Sequence, residues 1–314
     1  MNIKELLSKA LSRDKFWLAK LISLLEANPE LLLEYGDLIW KRSGRAHVIG
    51  VTGVGGAGKS TLIASLVRLM RSDGKYIGIV SIDPSSPYSG GAILGDRVRI
   101  QKSINSGIYM RSVTAPPEEV LPWKALVTLE VLDAAGFDYI IVETVGAAQS
   151  SVDVANLVDT IVVVIVPGTG DDIQALKAGL MEIGDIYVIS KCDKPEAEVT
   201  YLQVKTVLGG IVRDGWEVPI LMTSALMNKG IKELYSKILE HHEFMIKKGI
   251  LEIRRRRRYA KEVELMALEL MKRRIRELME EDKELRSLIN KVISKEVNPF
   301  KAAHQIVKAL LGGR

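Results

Sequence analysis

A glycine-rich segment after the first β-branched run constrains this chain more than any other feature. It matches the pattern G-x-x-x-x-G-K-[ST], whose glycines turn backbone N–H groups towards phosphate oxygens at the start of a helix. The lysine of this pattern reaches the outer phosphates, and the hydroxyl after it ligates Mg²⁺. A chance glycine-rich turn would lack the strand before it and the helix after it, so the context favours a phosphate-binding loop. The predicted nucleotide-binding residues here are Gly53, Val54, Gly55, Gly56, Ala57, Gly58, Lys59, Ser60 and Thr61.

Short apolar runs alternate with amphipathic stretches around this loop. Such runs are typical of parallel strands buried on both faces, and the β–α alternation implies right-handed crossovers. We therefore predict an α/β fold, a three-layer P-loop NTPase with a mostly parallel sheet. The predicted strands are His47–Thr52, Tyr76–Ile82, Tyr139–Glu143, Thr160–Val166, Ile186–Ser190 and Pro219–Thr223. The predicted helices are Lys59–Ser72, Gly95–Asn105, Pro122–Ala135, Ile173–Ile183 and Ala197–Asp214.

Helical patterns flank this region on both sides. Leucines recur at helical spacing before residue 45, with a break at Asn28–Pro29, and helix-like sequence follows Gly230. We predict an N-terminal helical segment at 1–44, a P-loop nucleotide-binding domain at 45–240 and a C-terminal helical arm at 241–314. An apolar stripe in the arm is typical of a core or a dimer contact, and it consists of Leu265, Leu268, Met271, Ile275 and Leu278.

The composition is that of an ordinary globular protein. Hydrophobic residues make up 47% and charged residues 26% of the 314 residues, which excludes intrinsic disorder, a collagen-like repeat and a disulfide scaffold. The single cysteine cannot form an intramolecular disulfide, and no apolar run approaches the roughly 18 to 20 residues of a membrane helix. The N-terminal sequence lacks the apolar core of a signal peptide. These features predict a cytoplasmic protein with no membrane partner.

The net charge of +5 favours anionic ligands without choosing among them. The run Arg254–Arg258 would suit nucleic acid, but the glutamates around it and the 5% aromatic content favour a solvated helix face or an inter-subunit arm. His241 and His242 are adjacent and face different directions on a helix, which argues against a metal site. We therefore disfavour a nucleic-acid partner.

Three acidic residues are candidates for the metal site. Asp83 leaves the second predicted strand, Asp96 follows a glycine pair, and Glu143 ends an apolar run in the manner of a Walker B strand. Each acid alone could be a cap or turn residue, but carboxylates at the carboxyl ends of parallel strands can hold Mg²⁺ directly or through water. The backbone N–H of Gly146 is predicted to approach the terminal phosphate. The predicted metal ligands are Ser60, Asp83, Asp96 and Glu143.

A guanine-recognition pattern follows the fifth predicted strand. It reads S-K-C-D from Ser190 to Asp193, a variant of N-K-x-D. The aspartate accepts from guanine N1–H and the exocyclic amino group, which adenine cannot match, and the stem of Lys191 can cover the base. Serine replaces the usual asparagine, so we expect the loss of an amide that ties this motif to neighbouring loops. The predicted nucleotide-binding residues of this motif, and of the loop after the last strand, are Ser190, Lys191, Asp193, Ser224, Ala225 and Leu226.

Together these motifs resemble those of a known family, the MeaB/ArgK-type P-loop GTPases. The resemblance extends from about Leu18 to the C-terminal helices. The matching segments are LAKLISLLE, IGVTGVGGAGKST, DPSSPYSGGAILGDRVRI, ETVGAAQS, PGTGDDIQALKAG and SKCD. The third segment is the most particular to the family. The chain departs from the family pattern at Gly55, Ala148, Ser151 and Ser190, where proline, glycine, glutamate and asparagine are usual.

The resemblance implies a Mg²⁺-dependent GTPase that binds GTP and GDP. It further implies a chaperone and gatekeeper for an adenosylcobalamin-dependent acyl-CoA mutase, usually methylmalonyl-CoA mutase, and a homodimer joined through C-terminal helical arms. A mobile loop at Gly170–Lys177 is implied to respond to the partner through Asp172, Gln174 and Lys177. The catalytic residues implied by position are Lys59, Asp83, Asp96, Glu143 and Lys177.

Two questions stay open at this point. Ala147 stands where Ras-like enzymes carry the glutamine that positions water, so we predict slow intrinsic hydrolysis unless another segment or a partner supplies the missing group. The alternative functions are a kinase of a periplasmic amino-acid-binding transport system, and a metallochaperone-type GTPase or basic interaction module. The sequence singles out no phospho-acceptor site and has no Cys/His cluster with zinc spacing.

Overall fold

The computed structural model describes residues 3–84, 107–115, 121–144, 155–168 and 180–312. Contacts divide the chain into two compact units, Met1–Tyr259 and Ala260–Arg314. Each unit has hydrophobic residues that cluster in a core of its own. No helix in the described ranges combines the length and the apolarity needed to cross a lipid bilayer.

A seven-stranded sheet lies at the centre of the first unit. Its strands are β1 (His47–Gly53), β2 (Ile77–Pro84), β3 (Ile108–Ala115), β4 (Tyr139–Thr144), β5 (Thr160–Ile165), β6 (Ile186–Ile189) and β9 (Ile220–Met222). Every neighbouring pair is parallel, in the order β3-β2-β4-β1-β5-β6-β9. The central strands are buried along their whole length, as their continuous apolar runs predict. The predicted parallel α/β sheet is therefore confirmed.

Helices cover both faces of this sheet. The helices with residues in the first unit are α1 (Ile3–Ala10), α2 (Lys15–Ala27), α3 (Leu31–Trp40), α4 (Lys59–Ser72), α5 (Trp123–Ala134), α6 (Met181–Ile183), α7 (Ala197–Leu208), α8 (Ile231–Lys248) and the start of α9 (Ile250–Glu281). Helices α4 and α8 share one core with the sheet. Helix α5 packs against β2, where a Cβ on Gly78 would lie 2.8 Å from Leu132, and α2 and α3 contact α5. These layers give the predicted three-layer architecture.

Two predictions on secondary structure need correction. Strand β3 is not predicted, because Arg111 interrupts its apolar pattern; its guanidinium donates to both carboxylate oxygens of Glu26 on α2, at 2.9 and 2.6 Å. The helix predicted over Ala197–Asp214 ends at Leu208, because two glycines follow. The chain then forms a small antiparallel pair, β7 (Val212–Arg213) and β8 (Trp216–Glu217).

Two other predicted helices are not tested over their full length. The helix predicted over Gly95–Asn105 lies outside the described residues. Of the helix predicted over Ile173–Ile183, only the end is described, as α6.

The second unit is helical. It contains the residues of α9 from Ala260 onwards, α10 (Lys283–Ile293) and α11 (Pro299–Leu310). The side chains of Asp282 and Asn298 cap α10 and α11 by accepting backbone N–H groups. Its buried core is small and consists of Leu285, Leu288 and Ala302. Several large apolar side chains of this unit are exposed, namely Val263, Leu268, Leu270, Met271, Ile289, Ile293, Phe300, Val307 and Leu311.

Candidate nucleotide site

The glycine-rich loop joins β1 to α4 at the carboxyl end of the central strand. Gly53 has a φ of 143°, and a Cβ there would lie 2.2 Å from the carbonyl oxygen of Val164 on β5, so only glycine fits. Gly58 has a φ of 87° and is the N-cap residue of α4. Because glycine has no side chain, no capping side chain occupies the N-terminus of α4, the end of a helix whose backbone N–H groups suit an anion.

Lys59 lies at the first turn of α4 with its side chain folded towards the loop. Its Nζ lies 2.8 Å from the carbonyl oxygen of Gly53 and 2.9 Å from that of Val54. The side chain is buried against the loop. The ammonium is thus held beside the backbone that is predicted to surround the phosphates, as the motif requires.

The hydroxyl of Ser60 and the carboxylate of Glu143 meet beside the loop. Ser60 Oγ donates to Glu143 Oε1 at 2.6 Å, and Ser81 Oγ lies 3.4 Å from Glu143 Oε2. Glu143 is buried near the end of β4, and the register of β2 with β4 places Ser81 opposite it. Asp83 is half-buried, two residues further along β2. The structure therefore brings Ser60 and Glu143 together and places Asp83 at the same edge of the sheet.

This donor set fits Mg²⁺ held together with a nucleotide. Hydroxyl and carboxylate oxygens are the ligands that Mg²⁺ prefers, and phosphate oxygens and water complete its octahedron in P-loop proteins. Within the described ranges, no three His, Cys, Asp or Glu side chains form a group that could hold a metal ion alone. The fit is thus to a shared phosphate–metal site and, in this part of the chain, not to a cluster of protein ligands.

Several predicted site residues cannot be placed. Asp96, Gly146 and Lys177 lie outside the described residues, as do Asp172 and Gln174 of the loop implied by the resemblance. Ser81 is the reverse case, a site residue that sequence reasoning missed. The sequence feature that could have identified Ser81 is its two-residue spacing from Asp83, because this spacing puts both side chains on one face of a strand.

The base-recognition motif begins directly after β6 and contacts the phosphate loop. Ser190 Oγ lies 2.7 Å from the carbonyl oxygen of Ala57 and 3.0 Å from that of Ile165. Lys191 has a φ of 52°, and its Nζ lies 2.8 Å from the carbonyl oxygen of Gly56. Serine lacks the amide of asparagine, but its hydroxyl still links this motif to the phosphate loop through the carbonyl oxygen of Ala57.

Asp193 and Ser224 face each other across the adjoining loops. A hydrogen bond from the Ser224 side chain lowers the pKa of the exposed Asp193 carboxyl, with a further contribution from the backbone N–H of Asp193. Ser224 and Lys229 exchange backbone hydrogen bonds of 3.0 and 2.9 Å, which close a tight turn after β9. Ala225 and Leu226 lie in this turn, and the Leu226 side chain is exposed. The ionised carboxylate is thus oriented and available to a base.

A second polar cluster lies at the amino ends of the same strands. Arg254 donates to both carboxylate oxygens of Asp185 at 2.7 Å, and Arg255 donates to those of Asp159 at 3.3 and 3.1 Å. Arg258 Nη1 lies 3.7 Å from Asp159, and both aspartates are 1% exposed. The prediction of a solvated helix face or an inter-subunit arm is therefore wrong for these three arginines. They bind buried carboxylates of their own unit.

Three histidines complete this cluster. His47 Nε2 and His241 Nδ1 lie 2.8 and 2.9 Å from the same Thr160 hydroxyl, and the rings of His47 and His242 stack at 4.0 Å. Burial lowers the pKa of His47 to about 3. Burial also lowers the pKa of His241 to about 4, although the Asp185 carboxylate 3.5 Å from its Nε2 acts in the opposite direction. His47 and His241 are therefore neutral near pH 7.

Comparisons with known proteins agree with this geometry. The family described as methylmalonyl-CoA mutase-associated GTPase MeaB has a model that matches residues 18–280. A chain named as a GTPase in Pyrococcus abyssi is 41% identical over 320 residues, which cover 99% of this chain and 98% of that one. GTPase ArgK of Escherichia coli is 32% identical over 250 residues, 76% of each chain. A crystal structure of an LAO/AO transport system kinase shares the fold, with a TM-score of 0.70 and 24% identity over 99% of both chains. The chain belongs to the MeaB family and is a P-loop GTPase.

Proposed function

We propose that this GTPase is a nucleotide-dependent chaperone of an adenosylcobalamin-dependent acyl-CoA mutase of the methylmalonyl-CoA mutase type. The support is the match over residues 18–280 to a family described as associated with that mutase. In this function the protein gates cofactor loading and protects the mutase from inactivation. GTP and GDP favour different conformations of the loops around the site, and the partner binds these conformations with different affinity.

The contact between Ser60 Oγ and Glu143 Oε1 carries the mechanistic part of the proposal. When bound, Mg²⁺ supplies positive charge that stabilises the phosphates in the transition state. Ser60 would hold the ion through its hydroxyl, and Glu143, with Asp83 and, by the resemblance, Asp96, would bind it directly or through water. The Ser60–Glu143 contact then changes with the nucleotide. Glu143 begins the segment ETVGAAQS, so this change is passed to the chain that follows β4.

The remaining residues bind and orient the nucleotide. Lys59 and the N–H groups at the start of α4 stabilise the charge that develops on the transferred phosphoryl group. Water is the nucleophile, and Ala147 offers no side chain to position it. Lys177, by the resemblance, contributes from the segment Gly170–Lys177. We therefore expect slow hydrolysis by the isolated protein and acceleration when the mutase is bound.

The test is phosphate release from GTP and from ATP, with and without the mutase of the same organism. We expect slow, GTP-selective hydrolysis that rises when mutase is added. Two variants on the same helix α4 form a matched pair: Ser60→Ala removes the hydroxyl beside Glu143, and Ser72→Ala removes an exposed one. The first variant is expected to be inactive and the second unchanged. No response to mutase would contradict the chaperone function, and labelled phosphate found in a protein would indicate a kinase.

The proposal includes a homodimer formed through the C-terminal helices. The exposed apolar side chains of α10 and α11 support it, because association with a second copy would remove such side chains from water. Phe300, the most exposed of them at 83%, and Ile293 are suited to a second copy of the chain. Light scattering is expected to give the mass of a dimer and, for Ile293→Asp/Phe300→Asp, that of a monomer. Gln305→Asp on the same helix is the control, and a monomeric wild-type protein would contradict the dimer.

A further inference from the structure

The side chain of Ser190 hydrogen-bonds to backbone carbonyls. Its Oγ lies between the carbonyl oxygens of Ala57 in the phosphate loop, at 2.7 Å, and Ile165 at the end of β5, at 3.0 Å. The residue is 5% exposed. A serine hydroxyl carries a single proton, and both neighbours are acceptors. That proton is therefore shared between the two carbonyls and is not available to a ligand.

The residues after Ser190 are engaged in a similar way. Lys191 Nζ lies 2.8 Å from the carbonyl oxygen of Gly56, next to the carbonyl that Ser190 contacts. The N–H of Cys192 donates to the carbonyl of Thr223 at 2.9 Å. Two consecutive residues of the base-recognition loop thus contact two consecutive carbonyls of the phosphate loop. The carboxylate of this motif is that of Asp193, which is exposed and whose pKa is lowered by a hydrogen bond from the Ser224 side chain.

Guanine presents four polar groups that a protein can recognise, on its Watson–Crick and Hoogsteen edges. N1–H and the 2-amino group are donors, and O6 and N7 are acceptors. The Asp193 carboxylate suits the two donors, and a backbone N–H of the turn after β9 suits O6. N7 needs a separate donor. An asparagine amide at position 190 would carry two N–H donors, one for a loop carbonyl and one for the base, whereas serine has one donor in total.

We propose that Ser190 is a positioning residue that links the base-recognition loop to the phosphate loop, and that guanine is selected without a donor from position 190 to N7. This inference rests on GTP binding at this site, and it adds a specificity rule to it. The enzyme reads the N1–H, 2-amino and O6 edge and leaves N7 to water. Nucleotides altered at N7 should therefore be accepted, and those altered at the 2-amino group should not.

The direct test compares binding of GTP and 7-deaza-GTP to the wild-type protein by calorimetry, in the presence of Mg²⁺. In 7-deaza-GTP a C–H replaces N7, so the acceptor is gone and the rest of the recognised edge is kept. We expect the two dissociation constants to agree within about twofold, because water contacts at an exposed acceptor contribute little. Weaker binding of 7-deaza-GTP by about tenfold or more would overturn the inference, since a direct hydrogen bond is worth about that factor.

Variants at position 190 test the positioning role. Ser190→Ala removes the tie, so we expect it to weaken GTP and 7-deaza-GTP by the same factor, about 5- to 10-fold. Ser190→Thr keeps a hydroxyl and is expected to restore most of the affinity for both. If Ser190→Ala changed neither affinity, or weakened only GTP, the positioning role would be wrong. Thermal unfolding of each variant distinguishes loss of the hydrogen bonds of residue 190 from loss of the folded structure.

The result is independent of the proposed partner. None of these measurements contains a mutase, so a failure of the chaperone proposal leaves them unchanged. Absence of GTP binding to the wild-type protein would contradict the guanine site as a whole. Discrimination against 7-deaza-GTP with tight GTP binding would overturn only the rule about N7.

Discussion

The two ends of the parallel sheet use polar residues in opposite ways. At the carboxyl end, glycines, hydroxyls and backbone groups lie together around the start of α4, and Asp193 is exposed. At the amino end, Asp159 and Asp185 are buried and bound by arginines of α9. The carboxyl end brings together donors and acceptors of the kinds that bind a nucleotide and Mg²⁺, whereas the amino end pairs opposite charges with one another. The difference indicates binding at one end and stability at the other.

The amino-end aspartates also solve a problem of parallel strands. The first N–H groups of such a strand need partners outside the regular ladder. Asp159 accepts the N–H of Val48 at 3.0 Å, and Asp185 accepts that of Ile161 at 2.9 Å. Since each carboxylate is buried, an arginine must balance its charge. The arginines of α9 thereby connect this helix to the sheet within the first unit.

The largest expected effect is at the carboxyl end. Replacing Lys59 by alanine removes the ammonium beside the phosphate loop, and we expect GTP hydrolysis to fall by at least about a thousandfold. Phosphate release measures this. Lys75→Ala, a half-exposed lysine just beyond α4, is the control and should keep full activity. An active Lys59→Ala variant would show that phosphate is bound elsewhere.

A substitution at the amino end should affect stability and not chemistry. Arg254→Ala leaves Asp185 buried without its bidentate partner, so we expect the free energy of unfolding to fall by about 3 to 5 kcal/mol. Denaturant titration measures this loss. The neighbouring Arg256 is exposed, and Arg256→Ala should change stability by less than about 0.5 kcal/mol. The assignment of stability to the amino end is wrong if Arg254→Ala has the same free energy of unfolding as the wild-type protein. It is also wrong if the folded variant no longer hydrolyses GTP.

The choice of base should depend on a single carboxylate. Asp193→Asn replaces an acceptor of the guanine donors by an amide, and we expect GTP to bind about 50- to 100-fold more weakly. Xanthosine triphosphate, which has a carbonyl in place of the 2-amino group, should gain affinity. Competition binding measures both. Glu196→Gln, an exposed residue three positions later, is the control and should retain guanine preference.

Acidification should lower the free energy of unfolding through the histidine cluster at the amino end of the sheet. The pKa of His241 in the folded protein is about 4, below the ordinary value of 6.5, so between these values the unfolded chain binds more protons. Stability is therefore present above pH 6.5 and is lost as the pH falls. By pH 5 the loss from His241 is about 2 kcal/mol. In His241→Gln, the decrease in the free energy of unfolding between pH 7 and pH 5 should be smaller by this amount. A pH dependence equal to that of the wild-type protein would contradict the prediction.

The sequence predicts the carboxyl end far better than the amino end, for a physical reason. Phosphate and base recognition need particular residues at short spacing, so Gly53–Thr61 and Ser190–Asp193 can be identified from neighbours alone. The pair of Arg254 and Asp185 joins residues 69 positions apart. Nothing near the arginine run indicates its partners, and a solvated run and a paired one have the same local pattern.

Ser190 shows the same limit on a smaller scale. The motif identifies the residue, and the exchange of asparagine for serine predicts the loss of an amide. The hydroxyl nevertheless reaches Ala57, because β6 ends close beneath the phosphate loop. The predicted parallel sheet is confirmed because long apolar runs identify buried strands from local sequence alone, whichever strands they pair with. Strand β3 is not predicted because Arg111 interrupts its apolar pattern, and its partner Glu26 is close only in the folded chain.

Hydrogen–deuterium exchange, with and without a non-hydrolysable GTP analogue and Mg²⁺, tests the division between the two ends most directly. We predict slower exchange on nucleotide binding in residues 53–61, 190–193 and 224–226. We predict unchanged exchange at residues 47–48 and 254–258. Protection at the amino end, or its absence around the phosphate loop, would contradict the assignment of binding to one end and stability to the other.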